Sequence, residues 1–204
     1  MDMKTTIPLS QRFARGERID DESFAGLRNV ATALLVDFDL KTPLVCAING
    51  HARAGGFDLM LQSEMRYAVS HATFALEEVA LGLYPTGNAT VMLPRQIGWT
   101  HANDLLLTAR PISAARAAEI GLINAVVAPD TLMPAALAAA DAIAGNAPLA
   151  VRETRRGVRE ILHLSLAEAY ERQEEIGRPL RRTEDAREGQ RAFVEKRKPI
   201  WKAE

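Results

Sequence analysis

Three features of the chain predict an α/β fold with a C-terminal helical region. Residues 43–49, Pro-Leu-Val-Cys-Ala-Ile-Asn, form a short apolar strand signal that passes through small residues into a helix signal near Gly55. A further strand signal, Met65 to Ser70, follows that helix and gives a strand–helix–strand unit. The C-terminal third is almost wholly of helical spacing. With 204 residues the chain can bury one sizeable core, placed over residues 1–143, with a helical region over 144–204.

In chain order, Met1 to Asp21 shows no clear period and reads as loop. Glu22 to Leu40 has Phe24, Leu27, Val30, Ala31, Leu34 and Leu35 on one face and predicts a helix, broken at Pro43 because a residue before proline leaves the helical region. The helix after Gly55 is expected to run to about Glu64, and Thr73 to Leu76 to be a short extended piece. Asn88 to Ile97 is weakly helical with Pro94 as an interruption. Thr100 to Thr108 and Ser113 to Glu119 are short helices with Thr100 and Ser113 as N-caps, the second closed by Gly121. Leu122 to Val127 reads as a strand. Helices follow from Pro129 to about Ala144, Pro148 to about Leu162, Ser165 to about Ile176 and Glu184 to Glu195.

Composition narrows the classes of function. A net charge of −1 with no long basic run argues against nucleic acid or an anionic membrane as the main partner. Cys46 is the only cysteine, so no disulfide forms within the chain, and a reducing cytoplasm is the expected location. No apolar run approaches the ~20 residues of a membrane span, and no signal-peptide core is seen. His51, His71, His101 and His163 lack metal-ligand or triad spacing and read as structural or surface residues; no metal or separate cofactor is expected.

The chemistry-bearing stretch is Pro43 to Leu61. A strand entering a Gly-rich turn and then a helix presents free backbone N–H groups, backed by the positive end of the helix dipole, to an anion. Downstream, Phe74-Ala75-Leu76-Glu77-Glu78-Val79 sets carboxylates in an apolar segment. The two together are suited to proton transfer beside a carbonyl. Other readings compete. Asn49-Gly50 is a hairpin signal, though helix rather than strand follows it. Gly50 to Gly55 approaches a dinucleotide fingerprint, but Ala52 stands at the second glycine and Val69-Ser70-His71 lacks the ribose-binding acid. Gly55-Gly56 alone is equally a tight packing turn. Asp58 is a first-turn acid that the helix dipole favours on its own, and Glu77-Glu78 alone is equally a solvated pair.

The run Ile48-Asn49-Gly50-His51-Ala52-Arg53-Ala54-Gly55-Gly56-Phe57-Asp58-Leu59 resembles the N-G-x-A-x-G-G-G-x-x-L pattern of the crotonase (enoyl-CoA hydratase/isomerase) superfamily. Ala72-Thr73-Phe74 through Pro85 is similar to its A-x-F-x-x-P-E-x-x-L-G-x-x-P segment. Leu107-Thr108-Ala109 through Leu122-Ile123 resembles L-T-G-x-x-I-x-A-x-x-A-x-x-x-G-L-V, and Thr183 to Pro199 resembles the C-terminal signature. Four segments in the right order, from about residue 41 to 199, make the match specific.

The resemblance implies a spiral of ββα turns whose C-terminal helices mediate assembly into a homo-trimer or hexamer. The ligand it implies is an acyl-CoA thioester, with coenzyme A part of the substrate. On that mapping the Gly55 N–H meets the thioester oxyanion, and Glu78 and Asp58 fall on the two acid/base positions. Ala52, Ala54, Gly56, Pro85, Thr86 and Gly87 would line the substrate, and Lys196 would meet the CoA phosphates. The implied activity is that of an enoyl-CoA hydratase, a lyase, with double-bond isomerisation as runner-up. The alternative is a catalytically weak acyl-CoA-binding or assembly subunit.

Three departures from the pattern bear on this. Met1-Asp2-Met3-Lys4 looks like the tail of the family's A-G-x-D-x-K/L segment without its Ala-Gly, which predicts an N-terminally truncated member or a start lying further upstream. Ala54 replaces the first glycine of the G-G-G run, a mild change if its φ is negative. Asp58 replaces the hydratases' glutamate and retracts the carboxylate by roughly 1 Å, a displacement that can reduce rate about 10²-fold. Water addition, which draws on both acids, is the reaction most exposed to this change. Asp at this position also occurs in some dienoyl-CoA isomerases, but their third acid would fall at Thr86.

Overall fold

A computed structural model describes residue 12, residues 15–18, residues 32–36 and residues 38–204. The N-terminal loop and most of the Glu22–Leu40 helix expected from sequence lie outside the described residues. The strands are β1 (Val45–Ile48), β2 (Ala52–Arg53), β3 (Met65–Val69), β4 (Thr73–Ala75), β5 (Ile112–Ser113) and β6 (Ala125–Val127). The helices are α1 (Gly55–Met60), α2 (Ala89–Ile97), α3 (Trp99–Thr108), α4 (Ala114–Glu119), α5 (Leu132–Ala144), α6 (Pro148–Ile161), α7 (Leu166–Leu180) and α8 (Glu184–Glu195).

The strands divide between two sheets, β1 to β4 alternating from one to the other. One has the order β1-β3-β6, all parallel, with Val45 opposite Met65 and Tyr67 opposite Ala125. The other has the order β2-β4-β5, with β2 parallel and β5 antiparallel to β4. The first two passes of the chain each lay one strand in each sheet before a helix returns it, and the third sets β5 and β6 on either side of α4, in keeping with the ββα spiral that the resemblance implies. Parallel neighbours need such crossovers, because a tight hairpin can join only antiparallel strands.

Between the layers lie Phe57, Phe74, Leu61, Leu76, Leu93, Leu105, Leu122 and Val69, all fully buried. Phe57 of α1 meets Phe74 of β4 edge to face, centroids 6.5 Å apart at 83°. Such a pair contributes about 0.5–1.5 kcal/mol beyond the area it buries. Arg66, the one charge on β3, is buried and gives its guanidinium to the carbonyls of Met60, Leu61, Ser63 and Leu122 at 2.8–3.0 Å. Burial pulls it down to about 10, so it stays a cation that ties the end of α1 to the segment before β6.

Several boundaries differ from expectation. Helix α1 stops at Met60 rather than near Glu64, because Ser63 turns back to the Met60 carbonyl and the chain must reach β3 at Met65. Strand β6 begins at Ala125, since Leu122 and Ile123 spend their amides on the Ala117 carbonyl. Pro94 lies inside an unbroken α2, whose buried Ala89, Leu93 and Ile97 hold its face to the core. Thr100 is not a cap: α3 opens directly after Gly98, which has φ 80°. Ser113 does cap α4, accepting the Arg116 amide at 3.2 Å, and Gly121 follows it with φ 75°. A 3-10 turn, Pro129–Thr131, precedes α5. Helix α7 runs on past Ile176 to Leu180 and starts with a reciprocal capping box between Ser165 and Glu168. Among the described residues no single helix is long and apolar enough to cross a membrane.

Candidate active site

Helix α1 places two of the expected residues. Gly55 opens it and Asp58 lies three residues on, about 4.5 Å along the axis. The first N–H groups of a helix have no intrahelical acceptor, and among the described residues the Gly55 amide has no backbone partner. Leu34 stands beside it, 3.5 Å from where a Cβ on Gly55 would sit. Before the helix, Ala54 takes φ 44° and ψ −122° while its N–H reaches the Ala75 carbonyl at 3.4 Å. The substitution of glycine by Ala54 is therefore not mild: the methyl sits on a backbone that L-residues rarely adopt.

Strand β4 delivers the other carboxylates. Beyond Ala75 the chain enters a 3-10 turn, Glu78–Leu81, closed by Gly82 at φ 71° and by Leu83 N–H on the Glu78 carbonyl at 2.9 Å. The adjacent glutamates separate in character. Glu77 pairs with Arg53 of β2 at 2.6 Å and is spoken for. Glu78 is half-buried, and its Oε2 is sealed from solvent without a hydrogen-bond partner among the described residues. Burial pushes the Glu78 carboxyl above its ordinary value. The negative charges on Asp58 and Glu77 push the same way, against a backbone hydrogen bond within Glu78 itself.

Asp58 is almost fully buried, and its Oδ1 accepts the N–H groups of Asn88 at 2.7 Å and Ala89 at 2.9 Å, the entry to α2. Burial raises its carboxyl too, and those two amides oppose the rise. Gly87 lies directly against it: a Cβ there would fall 2.1 Å from Asp58 Oδ2. Asn88, which the sequence offers only as a helix start, is a further site residue. Its side-chain amide donates to the Leu34 carbonyl at 3.0 Å and the Asp58 carbonyl at 3.3 Å. An Asn before an apolar helical run signals a cap, but nothing in the pattern says that its side chain turns backward to α1.

The structure thus brings Asp58, Gly87 and Asn88 into contact, with Leu34 linking them to Gly55, and sets Glu78 within reach of the Asp58 charge. Ala52 is buried on β2 opposite Phe74, Pro85 is buried, and Ala54, Gly56 and Thr86 are exposed around the turn. Lys196 stands exposed at the end of α8 with φ 53°, and no hydrogen bond or ion pair joins it to this cluster among the described residues. A cavity of about 890 Å³ lies between α6 and the start of β3, lined by Leu61, Arg66, Met92, Ile123 and Val151. It does not include Gly55, Asp58 or Glu78. His51 is held by Thr73 Oγ1 at 2.7 Å and His71 by the Asn49 carbonyl at 3.1 Å, both structural contacts. Among the described residues no three of His, Cys, Asp and Glu group as metal ligands.

Comparison with known proteins bears on the same site. Residues 12–204 match the family model described as enoyl-CoA hydratase/isomerase. The enoyl-CoA hydratase EchA19 of Mycobacterium tuberculosis is 42% identical over 184 residues, 90% of this chain and 68% of that protein. The carnitinyl-CoA dehydratase of Proteus mirabilis is 38% identical over 198 residues, 93% of this chain and 73% of its own length. Among solved structures, an enoyl-CoA hydratase from Bacillus anthracis superposes with a TM-score of 0.85 at 33% identity, covering 93% of this chain and 74% of that one.

Proposed function

The chain belongs to the enoyl-CoA hydratase/isomerase family, and on that premise we propose that it acts on an acyl-CoA thioester with Glu78 as general acid/base. The observation that carries the reading is the state of Glu78. A carboxyl oxygen buried without a partner, on a group whose proton affinity is raised above that of an ordinary glutamate, is suited to exchanging a proton with a substrate. On the family mapping the Gly55 N–H at the start of α1 would meet the thioester oxygen as it gains negative charge, and one such donor contributes about 3 kcal/mol to a transition state.

Both reactions of the family draw on these groups. In hydration of a 2-enoyl thioester, Glu78 takes a proton from water as its oxygen bonds to Cβ, and Cα gains a proton as the enolate collapses. In isomerisation Glu78 removes the α-proton of a 3-enoyl thioester and returns it at the γ-carbon, shifting the double bond. The relatives named as a hydratase and a dehydratase support the first. Purified protein is expected to consume crotonyl-CoA, followed by loss of the conjugated thioester absorbance, and Glu78→Gln to reduce that rate by at least about 10²-fold. Binding of the thioester with no turnover by the wild type would instead identify a binding or assembly subunit.

A further inference from the structure

We propose that Asp58 is a positioning residue, not a second proton-transfer group: it fastens the Pro85–Asn88 turn and the start of α2 against α1, and proton transfer belongs to Glu78 alone. The inference rests on the reading of Glu78 given above. Three contacts carry it. Asp58 Oδ1 is occupied by two backbone amides from consecutive residues, Asn88 and Ala89. Oδ2 lies under the Cα of Gly87, where there is no room for a Cβ. The Asn88 side chain then returns to the Asp58 carbonyl and to Leu34, so α1, the turn and the Leu34 segment form one hydrogen-bonded unit beside Gly55.

The two donated amides favour the charged form of Asp58 against its burial, whereas the closed oxygen of Glu78 has no donor to favour it. Asp58 Oδ1 is thus committed to the turn and Oδ2 is covered by Gly87, which leaves the closed oxygen of Glu78 as the one free to exchange a proton. The charged groups acting on Glu78 are Asp58 from α1 and Glu77 on its own turn, the latter paired with Arg53. Asp58 therefore does two things for the reaction: it sets the geometry of the turn over the site, and its charge raises the proton affinity of Glu78. One carboxylate is sufficient for the proton balance of either reaction. In isomerisation Glu78 carries the same proton from Cα to Cγ. In hydration the proton it takes from water is the one it gives to Cα, while the hydroxyl bonds to Cβ.

The test compares Asp58→Asn and Asp58→Ala, assayed with crotonyl-CoA for hydration and trans-3-hexenoyl-CoA for isomerisation. Asn keeps a carbonyl oxygen for both amides but removes the charge. It is expected to lose no more than about tenfold in kcat, on whichever substrate the wild type turns over, with the acid limb of the kcat/KM profile moved to lower pH. Ala loses both amide bonds and is expected to fall about 10²-fold. Backbone hydrogen exchange at Asn88 and Ala89 reads the role independently of turnover: both amides protected in the wild type and in Asp58→Asn, both exposed in Asp58→Ala. A 10³-fold or larger loss in a folded Asp58→Asn, or fast exchange of those amides in the wild type, overturns the proposal. If Glu78→Gln leaves turnover intact while the exchange pattern holds, it is the Glu78 reading that fails and not the anchoring by Asp58.

Discussion

At position 54 the backbone passes through φ 44° and ψ −122° with a methyl group attached. Conformations of this kind cost an L-residue about 1–3 kcal/mol, against about 0.5–1 kcal/mol lost by glycine to the freedom of its unfolded chain. Ala54→Gly is therefore expected to raise stability by about 1 kcal/mol, read as a higher urea midpoint at unchanged slope. A lower midpoint would mean that the methyl makes a contact worth more than the strain. Ala109, at φ 56° after α3, is a second alanine on a left-handed backbone, at a position where the family pattern has glycine. The sequence shows both residues but not their dihedrals, which the neighbouring elements impose. The same is true of the carboxylates. Glu77 and Glu78 are told apart in the sequence by the family pattern alone, and in the structure by the Arg53 partner on β2 and the closed oxygen of Glu78.

Among the elements, α1 is too short to be stable alone, and it keeps its place by packing. Its Phe57 has no exposed surface and meets the equally buried Phe74 of β4. That contact joins the element carrying Gly55 and Asp58 to the strand that leads to Glu78. Phe57→Ala is expected to cost about 3–5 kcal/mol, read by thermal or denaturant unfolding. It is also expected to reduce turnover by more than the fraction unfolded, since the two halves of the site lose their shared anchor. A variant that is destabilised but retains full activity per folded molecule would show that α1 is positioned by its polar contacts alone. Element types were largely legible. Strand β1, strand β4, the Pro148 start of α6 and the Ser113 cap follow from local pattern and capping chemistry. The ends were less so: α1 is cut short by the Ser63–Met60 turn, and α3 starts without a side-chain cap, both decided by contacts outside the local window.

At the scale of the whole molecule, the ββα spiral was implied by resemblance and not by periodicity, because strands of two to five residues are too short to announce their partners. Long-range polar ties were invisible in sequence for the same reason. Helix α6 is moored by Arg155 and Arg159, which both reach Glu64 before β3, at 2.8 and 2.9 Å. The C-terminus is moored by acids of α8. Asp185 accepts the amides of Lys202 and Ala203, and the buried Glu188 accepts the Ile200 amide at 3.0 Å and both Arg191 and Arg197. The tail then lays Trp201 on Gly189 and donates its indole N–H to the Gly145 carbonyl at 2.8 Å, joining α8 to the end of α5. Arg197 and Arg191 hold the Glu188 carboxyl well below its usual range. A depressed carboxylate stabilises the bound tail fully above its unfolded value of 4.5, and this contribution declines as pH falls below that value. Glu188→Gln removes the charge at every pH. In a Trp99→Phe background, where Trp201 is the only indole, Glu188→Gln is expected to show red-shifted emission and a lower melting temperature at pH 7. The unsubstituted acid should move toward the same melting temperature between pH 4.5 and 2. Matching spectra and melting curves at pH 7 would mean that Asp185 and Trp201 suffice to hold the tail, and that the Glu188 ion pairs add nothing to its docking.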